Sequence, residues 1–175
     1  KVLFFDLDGR SIGEVSAVVD RGWSLGQGGQ VSIQMGEKAE LAQFGRMVMI
    51  PHEKLPAWVG MIDTPWEARR PVTVTAYSAE YLLRIRALTT PAVITGSAGA
   101  IVAELIRQAN TLQDLRLRPG AIDLNGPERQ EVFDTTQIFA QLQKLVTKAG
   151  MEMQTRAERD EAGRLAQVMD RALKQ

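Results

Sequence analysis

The sequence predicts an α+β fold: a β-rich barrel or split sandwich of short, mostly antiparallel strands, with two or three helices. Three observations carry that expectation. Up to residue 77, apolar and polar residues alternate with period 2, as in half-buried strands. Beyond residue 97 the apolar residues recur at helical spacing instead. Short apolar segments separated by turn residues suit a barrel or sandwich, whereas a parallel sheet requires strands and helices in alternation.

Residues 2–7 are an apolar run ending at Asp8-Gly9, a dipeptide favoured in hairpin turns, and residues 12–19 follow as a return strand. Gly22, Gly26, Gly28 and Gly29 mark a loop. Val31, Ile33 and Met35 then alternate with Ser32 and Gln34 in a half-buried strand. Residues 44–50 and 57–63 form the next two strands, joined by a loop between Pro51 and Pro56, and Val72, Val74 and Ala76 alternate with threonines in a sixth. Ser78 is placed to cap a short helix through Leu83, with Glu80 favouring the dipole in its first turn. Ile101, Val102, Leu105, Ile106 and Ala109 share one face of a helix over about 97–110. Ile138, Phe139, Leu142, Leu145, Val146 and Ala149 repeat that spacing, with Asp134 or Thr135 as the cap and Gly150 as the C-terminal stop. In the charged tail, Met151, Met153 and Thr155 alternate and Asp160-Glu161-Ala162-Gly163 has turn composition, so a hairpin is expected. Residues 1–95 are thus the first, barrel-like part. Residues 96–175 supply the helices and C-terminal hairpin that complete or brace the same domain.

A chain of 175 residues with 45% hydrophobic side chains can bury a core as one domain, or one domain with a small appendage. The 21 basic and 21 acidic residues cancel, so no overall field draws in nucleic acid or an anionic membrane. The absence of cysteine excludes disulfides, thiolate catalysis and sulfur-ligated zinc, and a single histidine, His52, excludes a multi-histidine metal site. No apolar run approaches a membrane span, and no cleavable signal pattern is present. No low-complexity segment or internal repeat is evident. The start at Lys1 rather than methionine leads us to expect a fragment, a processed product or the ordered part of something longer.

Residues 2–10 resemble the first motif of haloacid-dehalogenase-type phosphatases, an apolar strand ending in Asp-x-Asp-Gly-Thr. That resemblance would make Asp6 the nucleophile and Asp8 a general acid/base in a Mg²⁺-dependent reaction. Thr95 or Ser97 would then mimic the family's phosphate-holding hydroxyl, and Lys144 or Lys148 its lysine. Against this reading, Arg10 replaces the threonine, no acidic pair follows in a context that would hold Mg²⁺, and the intervening strands are short and antiparallel in character. A hairpin at Asp8-Gly9 accounts for the same residues, so Asp6 and Asp8 are expected to be turn and strand-end residues without catalytic duty.

The remaining motifs have plain explanations. The cluster Gly26-Gln27-Gly28-Gly29 lacks the lysine of a nucleotide loop and precedes a strand, so it is a connection. Thr95 or Ser97 is expected to cap the helix that follows. His52, beside Glu53 in a polar loop, is expected at the surface, and the charges from Glu152 to Arg164 are expected to form a solvated face. Trp23, Trp58 and Trp66 lack the interleaved basic stripe that base stacking uses and are expected to pack. No catalytic, cofactor-binding or metal-binding residue is assigned, no cofactor is implied, and the chain is not expected to be an enzyme.

From Phe4 to about Gly163 the order of elements resembles the first barrel domain of tail-hub proteins (baseplate hub, tail tip) of tailed phages and prophages. The resemblance rests on an opening strand with Asp6-Leu7-Asp8-Gly9 and a second strand Ile12-Gly13-Glu14-Val15. It continues with an alternating strand from Gln30 to Gly36, the apolar pair and proline of Met47-Val48-Met49-Ile50-Pro51, and the Trp-x-Gly-x-Ile strand Trp58-Val59-Gly60-Met61-Ile62. The strand-to-helix step Val72 to Arg86, a helix from Gly96 to Gln108 and a second closing on Ala149-Gly150-Met151-Glu152 complete it. Met151 stands where the family often has an aromatic residue, and the family's later barrel is missing. The resemblance implies a structural, non-enzymatic subunit of a phage tail or phage-like injection machine. Such a subunit forms a ring, commonly a homotrimer, between tail tube and tip or spike. Its implied partners are itself, distal-tail, tube and tip or spike proteins, with DNA only as cargo in a channel and no membrane segment. The implied location is the virion, or the host bacterial cytoplasm during assembly.

Overall fold

Seven short strands form the largest sheet of the computed structural model: β1 (Val2–Phe5), β2 (Ser11–Val15), β3 (Val18–Arg21), β4 (Gln30–Met35), β5 (Met47–Ile50), β6 (Trp58–Ile62) and β7 (Val72–Tyr77). Their spatial order is β2-β1-β5-β6-β7-β4-β3, and every pairing is antiparallel. The structure describes residues 1–21, 29–54, 56–63, 71–88, 91–112, 114–120, 122, 124, 126–134, 137–148 and 151–173. Trp23, Trp66, Thr135, Ala149, Gly150 and most of the glycine cluster expected as a loop lie outside these residues.

The strand order forces the sheet to roll. Laid flat, seven strands spaced about 4.8 Å apart would put the two edge strands roughly 29 Å apart. Yet the edges are β2 and β3, consecutive in the chain, with only Ser16 and Ala17 between them. Three Cα–Cα steps from Val15 to Val18 span at most about 11 Å. The sheet therefore curls until its edges approach. Residues 12–19, expected as one return strand, break at Ser16-Ala17 because that corner is where the chain crosses the seam of the rolled sheet.

Rolling creates an apolar interior to which all seven strands contribute: Val2 and Phe4, Val15, Val19, Val31 with Ile33 and Met35, Val48 with Ile50, Trp58 with Ile62, and Val72 with Val74 and Ala76. A 3₁₀ turn at Ala39–Leu41 adds Ala39, Leu41 and Ala42 to the same cluster. The Trp-x-Gly-x-Ile pattern has a steric cause here. Trp58, Gly60 and Ile62 share the inner face of β6, and a Cβ on Gly60 would collide with the Trp58 ring and stand 2.6 Å from the Tyr77 carbonyl oxygen. Glycine leaves the space that the indole fills.

The outer face of the sheet is not uniform. On β4 and β7 it carries Gln30, Gln34 and Thr73, all exposed. On β1, β5 and β6 it carries Phe5, Met47, Val59 and Met61, all buried in a second core. These three strands are covered on both sides, which is why they are continuous apolar runs while β4 and β7 alternate. The cover consists of α1 (Ala79–Ile85), α2 (Ala98–Leu112), α3 (Ile138–Lys148) and the hairpin of β11 (Met151–Arg159) with β12 (Leu165–Leu173). The predicted apolar faces do enter this core: Ile101, Val102, Leu105, Ile106 and Ala109 from α2, and Ile138, Phe139, Leu142, Leu145 and Val146 from α3. Each such large side chain removed from water contributes about 1.5–3 kcal/mol before conformational entropy is subtracted.

Three strands fall where the expected pattern had none. β8 (Ala92–Gly96) pairs antiparallel with β10 (Arg129–Phe133) in a separate two-stranded ribbon, and β9 (Leu117–Pro119) pairs parallel with β12. Polar side chains fasten the helices to these layers. Ser78 caps α1 by accepting from Tyr81 N–H, and its hydroxyl also accepts from Gly29 N–H at 3.0 Å. Glu80 is more than a dipole partner: it is buried and accepts from the Thr155 hydroxyl at 2.7 Å, tying α1 to β11. Ser97 caps α2 through Ala100 N–H at 3.2 Å and donates to the Leu124 carbonyl at 2.5 Å.

Candidate functional site

The acidic motif of the opening strand is a turn. Asp6 N–H donates to the Arg10 carbonyl at 2.9 Å, Gly9 N–H donates to the Asp6 carbonyl at 3.0 Å, and the Asp6 carboxylate accepts from Arg10 N–H at 2.8 Å. Leu7 and Asp8 are the central residues rather than Asp8 and Gly9, and Gly9 takes the left-handed position at φ 78°. Asp6 thus spends an acceptor on its own backbone, as short acidic residues do in turns. Asp8 is exposed.

The same device closes the β11–β12 hairpin, in a sequence of matching form: Asp6-Leu7-Asp8-Gly9-Arg10 and Asp160-Glu161-Ala162-Gly163-Arg164. Asp160 N–H donates to the Arg164 carbonyl at 2.9 Å, Gly163 N–H donates to the Asp160 carbonyl at 2.8 Å, and Gly163 has φ 73°. The Arg164 N–H on its carboxylate, helped by the Ala162 N–H and the Arg118 and Arg164 charges, holds the Asp160 carboxyl below the usual aspartate range against the opposing effect of burial.

The two turns meet. Leu165 N–H donates to the Gly9 carbonyl at 2.7 Å, and the largely buried Arg116 guanidinium reaches the Leu165 carbonyl at 3.4 Å while lying 3.9 Å from Asp160. A Cβ at Gly9 would run into the Leu165 backbone, whereas one at Gly163 would meet nothing within 4 Å. Gly163→Ala is expected to cost about 1–2 kcal/mol for the left-handed backbone alone. Gly9→Ala is expected to cost clearly more, because the turn must also lift off the hairpin. Urea midpoints of the two variants measured side by side test this; equal midpoints would contradict the docking.

The other phosphatase-like residues are scattered. Asp6 opens the turn after β1 of the rolled sheet, Thr95 sits exposed on β8 of the ribbon, Ser97 caps α2, and Lys144 lies exposed on α3. Lys148 pairs with Glu131 at 3.6 Å. Among the described residues the one parallel pairing, β9 with β12, brings none of these groups together. Among the described residues, no group of three or more His, Cys, Asp or Glu side chains could hold a metal ion. His52 is exposed and its Nδ1 accepts from Lys54 N–H at 3.1 Å. An open groove of about 520 Å³ lies at one end of the rolled sheet, lined by Lys1, Glu14, Val15, Ser16 and Glu37 among others. Its cations are engaged: Lys1 Nζ donates to the Glu14 carboxylate at 2.9 Å and Lys38 Nζ to the Glu14 carbonyl at 3.3 Å.

Sequence reasoning missed Gln167. It is fully buried, its Oε1 accepts from Ala79 N–H at 3.0 Å, and its Nε2 donates to the Leu115 carbonyl at 2.9 Å. Its only sequence signal is a lone neutral polar residue within the apolar stretch Leu165-Ala166-Gln167-Val168-Met169. What the described residues display, then, is a set of joints between layers and a few exposed apolar side chains.

The fold is that of phage tail hub-like proteins. A component of the type VI secretion system from E. coli, the c3393 protein, whose structure is similar to the T4 bacteriophage tail proteins gp27 and gp5, superposes with a TM-score of 0.58 at 15% identity, over 90% of this chain and 46% of that one. A tail protein from Neisseria meningitidis superposes with a TM-score of 0.54 at 10% identity, over 96% of this chain and 49% of that one. The prophage tail protein gp18 from Listeria monocytogenes gives 0.51 at 9% identity, over 97% and 50%. This chain therefore spans about half the length of the solved structures it matches. No protein-family model matches it. No curated protein sequence matches it either. Among the described residues, no helix is long and apolar enough to cross a membrane.

Proposed function

We propose that this chain is a structural subunit of a phage tail or phage-like injection machine: a ring-forming hub that links the tail tube to the tip or spike. The observation that carries the reading is the likeness of fold to tail proteins over 90% or more of the chain. The layered construction suits the role. Both turns, the buried Gln167 and the Ser78 and Ser97 caps fix layers against one another, as a rigid ring segment requires. In this reading residues 1–95 and 96–175 are two parts of one hub domain, and the chain has no catalytic duty. Its partners are other copies of itself, as a homotrimer, and neighbouring distal-tail, tube and tip or spike proteins. DNA passes only as cargo, and the subunit resides in the virion after assembly in the host cytoplasm. The zero net charge imposes little repulsion between copies.

Light scattering on the intact gene product, well above micromolar concentration, tests the claim. The expected mass is that of a small closed ring, three copies. A strict monomer, together with no ring in images of assembled particles, would sink the hub reading.

A further inference from the structure

The helices and the C-terminal hairpin cover the outer face of β1, β5 and β6, but β7, β4 and β3 lie side by side at the other end of the strand order. The registers set the outward side chains of these three strands in rows. Val18 pairs with Gln34 and Gln34 with Thr73, Ser32 pairs with Thr75, and Gln30 pairs with Tyr77. Val18, Gln30, Gln34 and Thr73 are exposed, while Ser32, Thr75 and Tyr77 are half-buried. None of these side chains is charged. Tyr77 marks the border of the face, since it packs against the covered core and stacks on Tyr81 of α1 at 4.3 Å. Asp63, exposed just past β6 with its N–H on the Thr75 carbonyl at 3.2 Å, adds an anion beside them. The helical side of the molecule differs: Arg84, Arg107, Lys144 and Lys148 are all exposed there.

A soluble surface ordinarily carries Lys, Arg, Glu or Asp at about 25–35% of its positions. A face of hydroxyls and amides departs from that pattern in a particular way. Its polar groups hydrogen-bond water, so it is stable when left wet. It offers no grip on a phosphate chain, because duplex DNA is held chiefly by Lys and Arg that displace its counterions. Short Ser and Thr side chains also keep its relief low. A wall past which a polyanion must move needs these same properties, and the Asp63 carboxylate adds repulsion of the right sign. A ring presents one side of every copy to its axis, and here the two sides differ in charge.

We infer that the outer face of β3, β4 and β7 lines the channel of the ring, as the wall past which a nucleic acid moves without being held. This rests on the ring reading above and names the side of each copy that turns inward. The chain has no cysteine, so a single introduced thiol reports its own surroundings. Thr73→Cys in the full chain places one on the face; the site is exposed, so the variant is expected to keep the wild-type circular dichroism and assembled mass. Should it fail to assemble, Gln34→Cys replaces it and is judged by the same outcomes. In the ring, a small maleimide is expected to label the thiol, and a maleimide carried on a globular protein wider than the channel is expected to lose access. In the chain unfolded by urea both reagents label it. Wild-type rings are expected not to retain duplex DNA at low salt, whereas rings carrying Gln34→Lys with Thr73→Lys are expected to retain it until salt is raised. A thiol that the bulky reagent reaches lies on the outside of the ring, and one that neither reagent reaches lies in a joint between copies. Either result overturns this inference and leaves the ring reading standing, as would DNA held by the wild type or not held by the lysine variant. A monomeric wild type overturns both.

Discussion

Replacing Trp58 by alanine is expected to destabilise the rolled sheet by about 3–5 kcal/mol, the usual cost of deleting a buried aromatic side chain. A domain of ordinary stability holds only about 5–15 kcal/mol in total, so the variant would stand close to unfolding. The effect is large because the indole sits among residues contributed by every strand of the sheet and no neighbour can collapse into its place without opening the seam. Gly60→Ala is expected to act on the same packing from the other side, since its methyl group would drive into the indole and the Tyr77 carbonyl. The two changes should not add: without the ring, the alanine at position 60 loses its main obstacle. Urea titrations followed by far-ultraviolet circular dichroism on both single variants and the double variant measure this. A Trp58→Ala midpoint within error of the wild type would show that the interior is not packed around the indole.

Gln167→Met is expected to cost about 2–6 kcal/mol although methionine is unbranched at Cγ and of similar length and volume. The glutamine is fully buried and satisfies two main-chain groups that no longer have water: Ala79 N–H, a donor in the first turn of α1, and the Leu115 carbonyl ahead of β9. Leaving each of them unpaired costs about 1–3 kcal/mol. Methionine would fill most of the space and lose both bonds, so the experiment weighs hydrogen bonding with little change of volume. Native-state hydrogen exchange should show the Ala79 amide losing protection more than amides in the middle of α2. A variant as stable as the wild type, with that amide still protected, would mean that the two groups find other partners.

Much of this architecture was legible in the chain because it depends on periodicity. Val31, Ile33 and Met35 alternate because one side of β4 is wet, and Ile101 to Ala109 follow helical spacing because one face of α2 is buried. The apolar runs Val2–Phe5, Met47–Ile50 and Trp58–Ile62 were legible as strands, but their burial on both faces became evident only from the helices and hairpin packed over them. The Asp-x-x-Gly turn was visible too, although the position of its central residues was not, since a glycine at a turn fits more than one register. The ribbon strands were missed because Ala92–Gly96 and Arg129–Phe133 are short, far apart in sequence and only weakly patterned. Their pairing is a fact about α2 and the chain between them, which bring the two ends together.

The class of fold came from the sequence alone: strands first, helices after, and a core large enough to stand. Tertiary structure alone decided three things. It rolled the sheet, because β2 and β3 are joined by two residues yet lie at opposite ends of the strand order. It docked the first turn on the last hairpin, an encounter of Gly9 with Leu165 that no local pattern encodes. It gave a lone glutamine in an apolar stretch its task, because whether a buried amide is a fault or a joint depends on which main-chain groups the rest of the fold leaves within its reach.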